Sequence, residues 1–293
     1  VGAAPWGIAL APDRRAYVTT AQGIAVVDTK TQTRLALIPY QSPVGAVSYG
    51  EYRPGGMGIA VSPDGKRVYA GVYLPGQTNR LEIIDTEKLT TIASVPIGIR
   101  PFEVLTSRDG REVYALDHDS FTITVIDPLK LRERTLEVAP LGRGAFDKPH
   151  YAALNPANGH LLLPVQGRVL LDFDPTNQTS STLPLKSNTH QHGVALSADG
   201  NQLFIVGTGP AGSATGGPNL AIVNLTTKTE EIIPLSRPHE KVALSQDGSE
   251  AYLSGGYTFA DGGWDGMTVI DLKSRAIREI IVPERPLDLK LLS

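Results

Sequence analysis

One phrase recurs along the chain and limits what it can fold into. Trp6 is followed by GIALAPD, Met57 by GIAVSPDG, Phe102 by EVLTSRDG, His150 by YAALNPANG and His192 by GVALSADG. His239 continues with EKVALSQDG, one residue longer, and Leu287 with DLKLLS. These lead positions are 51, 45, 48, 42, 47 and 48 residues apart. Self-similarity at such a period marks a repeat architecture in which each unit is one supersecondary element.

The parts of a unit can be read from their chemistry. Asp64-Gly65, Asp109-Gly110, Asn158-Gly159, Asp199-Gly200 and Asp247-Gly248 follow the first apolar run, with Asp13-Arg14 as the exception. Such dipeptides tolerate the positive φ angles of tight hairpins. A second run follows, such as AYVTT or RVYAGVY, and then a third that ends in Asp28, Asp85, Asp127, Asp174, Asn224 or Asp271. A terminal Asp or Asn caps the next turn through its side chain. A fourth apolar stretch closes the unit. Runs of four to seven residues rich in Val, Ile, Leu and Tyr read as strands, and no long amphipathic helix is visible. Four antiparallel strands per unit, in tandem, predict an all-β fold, a β-propeller with a central channel. One propeller domain over residues 1–293 is expected rather than two domains. Its 30 Gly and 22 Pro then fall in hairpin tips and connecting loops.

AYVTT, SPDGKRVYAGVY and the VID endings resemble the YVTN-type propeller repeat family of bacteria and archaea. Wider relatives of that family include the propellers of cytochrome d1, nitrous oxide reductase and the methylamine dehydrogenase heavy chain. The resemblance implies a secreted, periplasmic or cell-surface prokaryotic protein. It speaks to fold far more than to activity, because function resides in sites grafted onto a scaffold. Six complete units and a lone seventh first strand, 287–292, favour seven blades, with the start of the chain missing before Val1. Closure on six blades is the alternative.

Composition narrows the function classes. The net charge is −3, with no run of like charges, so the basic footprint needed to track nucleic acid is lacking. No apolar run approaches a transmembrane span. With no Cys there is no disulfide, thiolate ligand or cysteine nucleophile. No Gly-x-Ser-x-Gly occurs, and haem-attachment cysteines for an electron-transfer scaffold are absent.

In propellers of this kind the first strand lines the channel, so repeat phase sorts polar residues by face. His150, His192 and His239 share the lead phase, His190 lies two residues before His192, and His118 falls in a loop opening on the same side. Imidazoles suit zinc, copper, iron or nickel, and three with an open position form a catalytic arrangement. A satisfied polar rim is the alternative for the same residues. Glu103, Asp117, Asp119, Glu240 and Asp288 are carboxylates on that face. Trp6, Arg53, Arg100, Phe102, Tyr257 and Trp264 are the candidate ligand contacts, the arginines favouring an anion or serving a structural role. Two readings follow. The first is a propeller that binds a protein partner or small molecule on its His- and aromatic-rich face. The second is an enzyme at that face, using a His-bound metal or lactonase-like hydrolysis. His150 and His239 match the His of lactonase strands, without the arginine that directly precedes it there.

Overall fold

Short β-branched runs separated by hairpin signals pair with their sequence neighbours. In the computed structural model, which describes residues 1–144, 148–166, 168–256 and 263–292, they form six antiparallel four-stranded sheets. The inner strands are Ile8–Leu10, Gly55–Val61, Pro101–Thr106, Ala153–Leu154, His190–Leu196 and Val242–Leu244. Each pairs with the next strand in sequence, and so on outward to the fourth. The chain is thus an all-β six-bladed propeller. Second strands such as Val113–Asp117 and Leu161–Val165 are buried at every position, whereas the outermost strand Ile277–Ile281 is exposed at every position.

The strands group into two compact units, residues 1–138 with blades 1 to 3 and 139–293 with blades 4 to 6. Within each unit, apolar cores fill the space between blades. Tyr17, Ile24 and Val26 of blade 1 meet Ile59, Val68 and Ile84 of blade 2, whose Leu81 and Ile83 meet Val104, Val113 and Ile126 of blade 3. In the second unit, Leu162 and Leu170 pack on Leu203 and Ile205, and Phe204 and Val206 on Val242 and Leu253. A blade has two apolar faces, and burying one aliphatic side chain between blades is worth about 1.5–3 kcal/mol.

Two turns repeat in every blade. At the first hairpin, Gly65, Gly110, Gly159, Gly200 and Gly248 have φ between +70° and +76°, while the preceding Asp or Asn does not. Each is a turn closed by a single left-handed residue, and in blade 1 Arg14 takes that conformation at φ +69°. At the third turn, one side-chain oxygen of Asp28, Asp85, Asp127, Asp174, Asn224 or Asp271 accepts two backbone N–H groups. Asn224 therefore does the work of the repeat Asp.

The segment 287–292 forms no strand, and no seventh sheet exists among the described residues. Its pattern resembles an inner strand, but strand backbone groups need a partner ladder. Here the Leu287 carbonyl instead accepts the Ser254 hydroxyl at 2.8 Å. Six blades replace the expected seven.

Backbone N–H donors hold the Asp127 carboxyl below the ordinary carboxylate range. Its contribution to stability is therefore present above the unfolded value near 3.9 and is lost as pH falls through the lower folded value. Asp127→Asn, which keeps the acceptor as Asn224 does, is expected to preserve the neutral-pH urea midpoint while flattening its fall below about pH 4.

Candidate functional site

Cross-strand register fixes which residues share a phase. Ala9 pairs with Tyr17, Ala60 with Tyr69, Leu105 with Tyr114, Ala153 with Leu162, Ala195 with Phe204 and Ala243 with Tyr252. Three residues before each of these lie Trp6, Met57, Phe102, His150, His192 and, in blade 6, Glu240 rather than His239. The extra residue in blade 6 moves His239 one place back. His239 thus precedes the lead and lies outside the strand Val242–Leu244.

In the second unit the lead phase and the strand end before it build a compact imidazole cluster. His150, His190 and His192 are 6 %, 3 % and 2 % exposed. One ring nitrogen from each lies within 4.8 Å of the others. Ring centroids are 4.8 Å apart for His150–His190, 4.6 Å for His150–His192 and 4.7 Å for His190–His192. Metal–nitrogen bonds of about 2.0–2.1 Å demand a tighter triangle than this one. His192 Nδ1 stands 2.9 Å from Glu240 Oε1, and the Tyr151 hydroxyl donates to the same oxygen at 2.6 Å. Glu240 is fully buried, and its Oε2 has no hydrogen-bond partner among the described residues. A carboxylate accepting Nδ1–H fixes the tautomer that leaves Nε2 as the ligand atom.

Local sequence explains this approach. A Cβ on Gly193 would lie 2.6 Å from both the Glu240 carbonyl oxygen and Lys241 Cα. Gly193 N–H donates to that carbonyl at 2.8 Å. Gly58 meets the Glu103 backbone equally closely, with its Cβ position 2.5 Å from the carbonyl carbon. The residue after the lead is Gly in blades 1, 2 and 5, and Glu103 and Lys241 face such a Gly. Tyr151 and Lys241 occupy this position, and the Lys241 ammonium sits 3.4 Å from the Tyr151 ring centre. Neither was singled out from sequence, although their place one residue after the lead was a readable signal.

His239 stands apart from the cluster. Its Nε2 is 2.7 Å from the Thr268 hydroxyl and its ring meets Trp264 edge-on at 5.9 Å. Trp264 itself is buried against Gly255 and Gly266, beneath the Arg237 guanidinium at 4.7 Å. Tyr257 lies outside the described residues.

The first unit carries a different cluster. Arg53 stands 5.4 Å from the Trp6 ring, Trp6 meets Phe102 edge-on at 5.4 Å, and Phe102 lies 4.6 Å from the His118 ring. Arg100 lies 5.1 Å from Phe102 and 3.8 Å from Tyr52, and it pairs with Glu51 and Asp119. Asp119 also takes His118 Nδ1 at 2.9 Å. Within this unit the structure joins Trp6, Arg53, Phe102, Arg100 and His118, and it holds His118 on a carboxylate.

Three outcomes test these environments. Gly193→Ala is expected to cost roughly 1–3 kcal/mol in chemical denaturation, since the two nearest atoms belong to backbone, and to loosen the His192–Glu240 contact seen by imidazole NMR. Burial pulls His239 down to about 4 from 6.5, so the unfolded chain binds the extra proton between those values. Stability from its neutral form is complete above pH 6.5 and is lost as pH falls toward 4. An NMR titration should find His239 neutral down to that range. Burial pushes Asp117 the other way, to about 7, against hydrogen bonds from Thr124 and Thr122. Its contribution is complete below pH 3.8 and is lost as pH rises through 7, so Asp117→Asn should raise the urea midpoint at pH 8 relative to the parent.

No protein-family model matches the chain, and no curated protein matches it. Solved structures do. Hydrazine synthase of Kuenenia stuttgartiensis superposes with a TM-score of 0.74 at 17 % identity, over 92 % of this chain and 76 % of that one. The extracellular domain of a one-component system from B. thetaiotaomicron superposes with a TM-score of 0.65 at 13 % identity, over 91 % of this chain. This chain spans only 34 % of that second protein. At such identities the likeness is one of fold.

Proposed function

We propose that the second unit binds one transition-metal ion on His150, His190 and His192, and that the propeller captures a small ligand at the metal's open position. The observation that carries this reading is the buried triangle of imidazoles with nitrogens within 4.8 Å. Three nitrogen donors without sulfur suit zinc, copper, nickel or iron rather than magnesium or calcium. Glu240 supports it from behind, because a carboxylate on the far nitrogen orients a ligand histidine and raises its basicity. A three-histidine site keeps a fourth position for water or a ligand, which the metal polarises as a Lewis acid. The uncommitted Oε2 of Glu240 is an acceptor beside that cluster.

A secreted or periplasmic setting accompanies this reading. It is supported by the YVTN-type phrase, by the extracellular placement of one structural neighbour, and by the lack of any helix long and apolar enough to cross a membrane among the described residues.

The test is elemental analysis of untagged protein purified without chelator. About one equivalent of zinc, copper, nickel or iron is expected, lost in His150→Ala and in His192→Ala while the β-sheet circular dichroism persists. Glu240→Gln should weaken affinity roughly 10- to 100-fold. Metal at 100 times its Kd should stabilise the parent by about 2.7 kcal/mol. A metal-free protein that gains no stability from any of these ions, and is indifferent to the His substitutions, would overturn the proposal.

A further inference from the structure

Two arginines are buried in the first unit, and they differ in their counter-ions. Arg100, with no exposed side-chain surface, has Glu51 and Asp119 as counter-ions and the Tyr52 ring stacked against it. Arg53, 2 % exposed, has no carboxylate partner among the described residues. Its guanidinium donates to the Pro54 carbonyl at 3.1 Å and the Gly56 carbonyl at 2.7 Å, and faces Trp6 at 5.4 Å. Burying a charge away from water is costly unless something pairs with it. Burial lowers its pKa to about 10, offset in part by the Tyr40 hydroxyl.

The cradle is rigid. Tyr40 accepts the Gly56 N–H at 3.1 Å and donates to the Thr20 carbonyl at 2.8 Å. A Cβ on Gly56 would fall 2.1 Å from that Tyr40 oxygen, so only glycine fits. The carbonyl dipoles occupy two of the five guanidinium donors and leave three. Donors left on the fork match two oxygens in a plane. The indole beside them supplies an apolar wall.

We propose that Arg53, walled by Trp6, is a receptor for a small planar carboxylate, a site built from residues of the first unit alone. The anion provides the counter-charge that the fold gives to Arg100 and withholds from Arg53. Carboxylate is favoured because it is planar like the guanidinium and the indole and offers the fork two separate acceptor atoms, whereas chloride offers one.

The experiment uses the full chain in a His192→Ala background with chelator, so that a carboxylate on a metal cannot contribute. Tm is followed while acetate replaces chloride at constant ionic strength, with sulfate as a third arm. The expected result is a saturable rise of about 5 °C at 100 times the acetate Kd, absent in the other arms. Arg53→Met should abolish the response and, in chloride, should melt no lower than its parent, because an apolar chain of like length replaces an uncompensated charge. Arg53→Lys keeps the charge without the fork and should weaken acetate at least tenfold. Should Arg53→Met fail to fold, the lysine variant and saturation transfer from the Trp6 indole to acetate decide alone. No acetate response in the parent, or an equal response in the variants, would overturn the proposal.

Discussion

At three places neighbouring inner strands meet across glycine, and the lead side chains there are placed by that contact. Gly7 faces the Met57 carbonyl, Gly58 the backbone of Glu103, and Gly193 the backbone of Glu240 and Lys241. A side chain at any of these positions would drive two blades apart. With glycine there, the residue just before it is carried close to its counterpart on the next blade. His192 and Glu240 come within hydrogen-bonding distance because nothing but hydrogen separates the strands one residue later.

The two units use one phase for two kinds of chemistry. Trp6, Met57 and Phe102 make the lead positions of the first unit apolar, and the charged groups near them come from the segments before and beside the strands. His150, His192 and Glu240 make those of the second unit imidazole and carboxylate. The turns that define the blade are shared by both: a left-handed residue at the first hairpin and a side-chain acceptor at the third. Scaffold and site are thus specified by different residues of the same repeat, which is how one fold hosts unrelated functions.

Much of this was legible locally. Hairpin dipeptides, the Asp that ends each third strand, and the lead phase of His150 and His192 are all short-range signals. Readings that needed a partner elsewhere in the chain failed. Segment 287–292 has the pattern of a strand, but whether a pattern becomes a strand depends on a neighbouring ladder. His239 looked like a third lead histidine because position was counted from the histidine; counted from the Ala243–Tyr252 pair, the lead is Glu240. The counter-ions of Arg100 lie 49 and 19 residues away, so nothing near Arg100 or Arg53 distinguishes a neutralised arginine from one without a carboxylate.

The apolar cores and the candidate site residues are drawn from different positions of the repeat. Among the described residues, four inter-blade cores are built mostly from apolar residues of the second, third and fourth strands together with the inner-strand residues two or more places after the lead. None includes Trp6, Met57, Phe102, His150, His192 or Glu240. Large destabilisation from a single substitution needs a named cause, such as a cavity in such a core or a buried charge left alone. Replacing an imidazole of the cluster opens no cavity in these cores. Replacing Glu103 or Tyr151, each one residue after the lead, leaves them equally intact. Polar groups gathered at one phase, outside these four cores, depart from the local consistency of the repeat, and such departures are where function is to be sought.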